Sequence, residues 1–187
     1  MEPEQKKPVR VLAIAGSDSG GGAGIQADIK TITALGGYAT TALTALTAQN
    51  TEGVQAILPV PPAFLYQQIR SVLDDLGTDA IKTGMLGGAS EIQCVSEEIS
   101  RYRSLFTDIP VVVDPVMVAK GGASLLAEAA LSCLKTQLFP QATVLTPNLP
   151  EAEKLTGRTI MSVEDMRFAA QELLEMSGAA VLLKGGH

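Results

Sequence analysis

VRVLAIAGSDSGGGAGIQADIKTITALGG (9–37) is the stretch whose reading decides the fold. Val9 to Ala15 is a mostly apolar run that stops at Gly16, and the GSDSGGGAG that follows is too rich in glycine for the interior of a helix or strand. Ile25, Ile29, Ile32 and Leu35 then recur at helical spacing, and Gly36-Gly37 supplies the stop. The stretch predicts a strand, a loop and a helix in immediate succession.

The same alternation continues outward. Tyr38 to Leu46 is a small, β-branched run, and Pro61 to Leu76 has a proline start with Phe64, Ile69, Val72 and Leu76 at helical spacing. Asp79–Thr83, Pro110–Val113, Ala142–Leu145 and Ala180–Leu183 are further short buried-type strands, with helical patterns near 89–104, 124–138, 149–156 and 163–177 between them. A parallel return needs a crossover that a helix usually supplies, so the expectation is an α/β fold with a mostly parallel sheet covered by helices on both faces. Ligands should then sit at the carboxyl ends of the strands.

Composition narrows the function. In 187 residues there are 14 basic and 20 acidic side chains, and 46% of residues are hydrophobic. That balance excludes a basic nucleic-acid binder and a disordered acidic tail. Cys94 and Cys133 have no second pair and the only histidine is His187, so neither a disulfide framework nor a zinc site is supported. The apolar VLAIA run is too short to span a membrane, and the N-terminus lacks a signal-peptide layout. A soluble cytoplasmic protein without a membrane or nucleic-acid partner is expected, and a homo-oligomer is compatible with the sequence.

Two patterns could carry chemistry. Glycines 20, 21, 22 and 24 between a strand and a helix permit close backbone approach to a ligand, or serve a tight turn with none. No Lys-Ser or Lys-Thr makes the loop a P-loop. The other pattern is a set of polar residues where strands end: Gln49-Asn50, Lys82, Asp114, Asn148 and Lys184. Asp114 follows PVVV and precedes Pro115, which suits a carboxylate at a metal-phosphate site or a turn cap. Asn148 and Glu151, three apart after Pro147, read as oxygen ligands for magnesium-bound water or as a capping box. Lys184 reads as a phosphate-binding point charge or a solvated strand end.

Taken together these residues become recognisable. AGSDSGGGAGIQADIKT (15–31), ALTALTAQNTEGVQ (42–55), IKTGML (81–86), VVVDPVMVAKGG (111–122), TPNLPEAEKLTG (146–157) and VLLKGGH (181–187) closely resemble, in order, the hydroxymethylpyrimidine/phosphomethylpyrimidine kinase family of thiamine biosynthesis, within the ribokinase-like superfamily. The resemblance implies two ATP-dependent phosphorylations, of 4-amino-5-hydroxymethyl-2-methylpyrimidine and then of its monophosphate. It places Gly16, Ala23, Asp28, Gln49, Met85 and Val116 in the pyrimidine pocket. Asp114, Asn148, Glu151 and Lys184 fall on the ATP side, with Asn148 and Glu151 holding Mg2+ through water. An aminopyrimidine edge suits a carboxylate and an amide, and Met85, Val116 and Ala23 suit apolar walls. A pyridoxal kinase of the same family and a non-catalytic pyrimidine-binding module are the alternatives.

The family continues into a Gly-Thr-Gly-Cys turn that holds the developing phosphoryl charge. Nothing in these residues corresponds to it, so no catalytic residue is identified. Residues 1–187 are accordingly expected to be a single ribokinase-like domain without that C-terminal segment. Lys120-Gly121-Gly122-Ala123 also departs from the Lys-Ser-Gly-Asp often found in a mobile flap.

Overall fold

Hydrogen-bonded on both edges, β1 (Arg10–Ala15) is buried on both faces from Leu12 to Ala15, as an inner strand of a parallel sheet must be. A computed structural model describes residues 7–106, 109–117 and 128–185. From β1 the chain passes through α1 (Gly24–Ala34) to β2 (Tyr38–Leu43) on one side. The remaining sheet strands, β5 (Ala80–Thr83), β6 (Val111–Val113), β7 (Val144–Leu145) and β8 (Ala180–Val181), are added on the other side. The order is β2-β1-β5-β6-β7-β8 with every pairing parallel.

The order in which strands are added to the sheet reverses at β1. Right-handed crossovers therefore put α1 on one face, and α2 (Pro62–Leu73), α3 (Ala89–Leu105), α4 (Glu128–Cys133) and the pair α5 (Leu149–Thr156) and α6 (Val163–Ser177) on the other. Packing agrees: α2 contacts α3, α3 contacts α4, and α5 contacts α6. Register aligns Leu12 with Ile81 and Val111, and Ile14 with Thr83, Val113 and Leu145. These rows meet Leu65, Ile69, Ile92, Val95 and Ile99 of the helices in one core.

The helix boundaries follow local chemistry. Ser162 accepts from the Asp165 N–H at the start of α6, and Gly178 closes it with φ 71°. The pattern over 124–138 gives α4, a widened turn at Leu134–Leu138 and a 3-10 turn at Phe139–Gln141, where Pro140 cannot donate. Its first residues, 124–127, and the Lys120–Ala123 segment lie outside the described residues.

One expectation is corrected. The 38–46 run is not a single strand: β2 ends at Leu43, and Thr44 turns the chain out of the sheet into an antiparallel hairpin of β3 (Ala45–Asn50) and β4 (Gly53–Pro59). Buried Thr44 anchors the root, its N–H donating to the Ala15 carbonyl at 3.1 Å and its hydroxyl to the Met85 carbonyl at 2.6 Å. Gln49 and Asn50 therefore belong to this hairpin and not to a strand end of the parallel sheet. Much of the hairpin is exposed, Leu46 and Leu58 included, so its sequence carries no core-facing periodicity to read.

Candidate active site

Asp18 organises the loop after β1. Its buried carboxylate accepts from the N–H groups of Gly20 (2.8 Å), Gly22 (2.9 Å) and Ala23 (2.8 Å), while its own N–H donates to Gln26 Oε1 at 2.7 Å. The loop donors are thus turned inward onto a side chain of the same loop. Gly24 starts α1 at φ 55°, where a Cβ would collide with the Gly16 carbonyl oxygen, so this close turn requires glycine. Gly16 in turn leaves room for the Met85 side chain to lie against the backbone.

A cavity of about 360 Å³ opens at the carboxyl ends of β1, β5 and β6, where the strand order reverses. All six residues expected in a pyrimidine pocket line it: Gly16, Ala23, Asp28, Gln49, Met85 and Val116. They come from the β1 loop, α1, the hairpin and the segments after β5 and β6. Asp28 forms an ion pair with Lys82 at 2.9 Å, both side chains being largely buried. The hairpin closes one side with Thr47, Gln49, Val54 and Ile57.

The second cluster adjoins the first. Asp114, after β6, lines the cavity, and its Oδ1 accepts from Lys184 Nζ at 3.0 Å and from the Thr146 hydroxyl at 3.2 Å. Asn148, Glu151 and Lys184 do not line the cavity. Asn148 and Glu151 form the capping box of α5: Asn148 Oδ1 accepts from the Glu151 N–H and Glu151 Oε2 from the Asn148 N–H, each at 2.9 Å. Glu151 is buried, and burial pushes its carboxyl above the ordinary range. The charge of Asp114 adds to this, while backbone N–H groups of Asn148 and Met117 and the Lys184 ammonium oppose it.

No group of three His, Cys, Asp or Glu side chains forms a ready-made metal site among the described residues. Magnesium nonetheless needs only one or two carboxylates when phosphates and water complete its shell. Asp114 and Glu151 fit that role: the donors are oxygen, and a cation would relieve the charge that Asp114 and buried Glu151 place near one another.

Cys94 and Cys133 lie in α3 and α4, away from the cavity lining. Burial, reinforced by Glu98, Glu97 and Glu91, raises the Cys94 thiol to about 11, and burial raises Cys133 too, so neither is an activated nucleophile. Among the described residues no helix is long and apolar enough to cross a membrane.

Sequence reading did not assign Asp18, Thr47, Val54 or Ile57 to the site, and noted Lys82 only as a strand-end cation. A signal for the hairpin was present in Asn50 and Gly53. Asn50 Oδ1 accepts from the N–H groups of Glu52 at 2.9 Å and Gly53 at 3.3 Å, the local turn such residues favour.

Comparison with known proteins gives the family and the fold. Residues 18–187 match the family model described as phosphomethylpyrimidine kinase. The chain is 52% identical over 178 residues to the hydroxymethylpyrimidine/phosphomethylpyrimidine kinase of Bacillus subtilis, covering 95% of this chain and 64% of the relative. It is 55% identical over 177 residues to a thiamine biosynthesis bifunctional protein of Geobacter sulfurreducens, covering 95% and 35%. The chain thus spans less than two thirds of either relative. Among solved structures, a phosphomethylpyrimidine kinase from Clostridium difficile superposes with a TM-score of 0.84 at 42% identity, covering 96% of this chain and 76% of that one. A Staphylococcus aureus pyridoxal kinase solved with pyridoxal superposes with a TM-score of 0.83 at 38% identity, covering 96% and 64%.

Proposed function

Since the chain belongs to the phosphomethylpyrimidine kinase family, we propose that its cavity takes 4-amino-5-hydroxymethyl-2-methylpyrimidine, and then its monophosphate, as acceptors of a phosphoryl group from ATP. One observation carries the reading: six residues separated in sequence by up to 100 positions, Gly16 to Val116, converge on a single cavity at the switch point of a parallel sheet. In this reading the chain supplies the acceptor pocket and part of the nucleotide side of one ribokinase-like domain.

Asp28, held by Lys82, accepts from the exocyclic amine, and the Gln49 amide pairs with the ring edge, while Met85, Val116 and Ala23 enclose the ring. The hydroxymethyl group then points toward Asp114. Lys184, now on the Asp114 carboxylate, is within reach of an incoming phosphate, and Asp114 and Glu151 are the residues that hold magnesium there. Magnesium, when bound, neutralises phosphate charge during transfer. Asn148 fixes Glu151 through the capping box, a positioning role in place of the water-mediated magnesium contact expected from the sequence.

The test is calorimetric titration of the chain with the aminopyrimidine alcohol and with pyridoxal, alongside ATP- and magnesium-dependent transfer by the natural full-length product. Asp28→Ala is expected to weaken pyrimidine binding by about tenfold or more, the loss of one charge-assisted contact. Equal or tighter binding of pyridoxal favours a pyridine acceptor instead. Saturable pyrimidine binding without transfer by the full-length product supports a binding module.

A further inference from the structure

The serine hydroxyls of the β1 loop have a use that the acceptor contacts do not cover. Ser19 Oγ donates to the Gln49 carbonyl at 2.6 Å and accepts from the Gln49 N–H at 2.7 Å. Ser17 repeats the pattern two residues earlier. Its N–H donates to the Ala45 carbonyl at 2.9 Å, its Oγ accepts from the Thr47 N–H at 3.1 Å, and its carbonyl accepts from the Thr47 hydroxyl at 2.8 Å. Positions 17 and 19 thus meet positions 45, 47 and 49, the two-residue period of a strand edge. The loop backbone supplies part of this ladder, through the Ser17 N–H and carbonyl. The hydroxyls of Ser17 and Ser19 supply the rest.

Two independent features show that the hairpin needs this attachment at Gln49. The β3–β4 register slips between Ala48 and Gln49, so the hairpin's own ladder is interrupted where the amide enters the cavity. Gly20 also packs close to this strand, since a Cβ there would lie 3.4 Å from the Gln49 carbonyl oxygen and 3.5 Å from Asn50 Cα. The glycine-rich loop is therefore shaped to receive β3 as well as to border the ligand.

We propose that Ser19, supported by Ser17, is a positioning residue for acceptor recognition, latching β3 to the β1 loop and setting the depth at which Gln49 enters the pocket. Ser19 is exposed, so water competes for both of its bonds and the latch opens at small cost.

The acceptor part of this proposal rests on the pyrimidine reading, whereas the latch itself does not, and two measurements separate them. In amide hydrogen exchange of the whole chain, Ser19→Ala should speed exchange at Gln49 about threefold to tenfold, the range for losing the one of its two bonds that holds the Gln49 N–H, with β1 and β5 unchanged. Ser19→Thr, which keeps the hydroxyl, should restore protection. In titration with 4-amino-5-hydroxymethyl-2-methylpyrimidine, Ser19→Ala should raise Kd by a similar factor, and should have no further effect in a Gln49→Ala background. Unchanged exchange overturns the latch. Faster exchange with an unchanged Kd, or an equal loss in the Gln49→Ala background, overturns its role in recognition. If wild type does not bind the pyrimidine while Ser19→Ala still speeds exchange, the latch stands and the pyrimidine reading falls.

Discussion

Replacing Asp18 by Asn changes one atom and should test the loop on which the pocket is built. Asp18 is 4% exposed, and its two oxygens take three backbone N–H groups: Gly20 on Oδ1, Gly22 and Ala23 on Oδ2. An amide keeps one oxygen. If that oxygen stays on the Gly22–Ala23 side, the new NH2 faces the Gly20 N–H, leaving donor against donor. A buried donor without a partner costs about 1–3 kcal/mol. The two bonds that survive lose their charge assistance, worth about 0.5–1 kcal/mol each. The expected loss is therefore about 2–5 kcal/mol, a large fraction of the 5–15 kcal/mol typical of a domain. Urea denaturation followed by circular dichroism should show a lower midpoint with an unchanged slope. The variant should also bind the aminopyrimidine alcohol less well, because Gly16, Ser17 and Ala23 ride on the same loop. A loss below about 0.5 kcal/mol with unaltered affinity would refute the reasoning.

Two further substitutions probe burial. Burial and the Asp114 charge raise the Glu151 pKa in the folded state above its unfolded value, so the stabilising contribution of its bound proton is complete below the ordinary carboxylate range and is lost as pH rises through the raised value. The stability of wild type relative to Glu151→Gln should therefore decline as pH rises above the ordinary carboxylate range, and parallel curves for the two proteins would contradict this. Thr83 Oγ1 is fully buried with no hydrogen-bond partner among the described residues. Thr83→Val keeps the shape and removes that unmet group, so thermal denaturation should show about 1 kcal/mol of added stability; a destabilised variant would show that the hydroxyl is satisfied.

Legibility in the sequence followed burial. Strands β1, β5, β6 and β7 and helices α3, α5 and α6 were readable because each presents an apolar face to one core, whereas α1, on the opposite face of the sheet, buries Ile25 but leaves Ile29 exposed and was readable from its spacing and from the glycines at its ends. The Asn148–Glu151 pair shows the limit of such reading. Spacing allowed both a cap and a metal ligand, and the structure displays the cap while also placing Glu151 near Asp114 and Lys184. The hairpin went unread because its stability comes from the β1 loop and from Thr44, contacts separated in sequence by about 30 positions, in place of an amphipathic repeat of its own.

The sequence by itself determined the alternating elements, the parallel sheet and, through matching segments in family order, the kinase family. These depend on local periodicity, turn chemistry and residue identity, all of which are written along the chain. Only the tertiary structure decided that Asp28 meets Lys82 across 54 positions, that Lys184 reaches Asp114 across 70, and that Ser19 grips Gln49 across 30. Pairings of that kind depend on strand order and on a hairpin folded over the sheet end, and neither is fixed by any window of neighbouring residues.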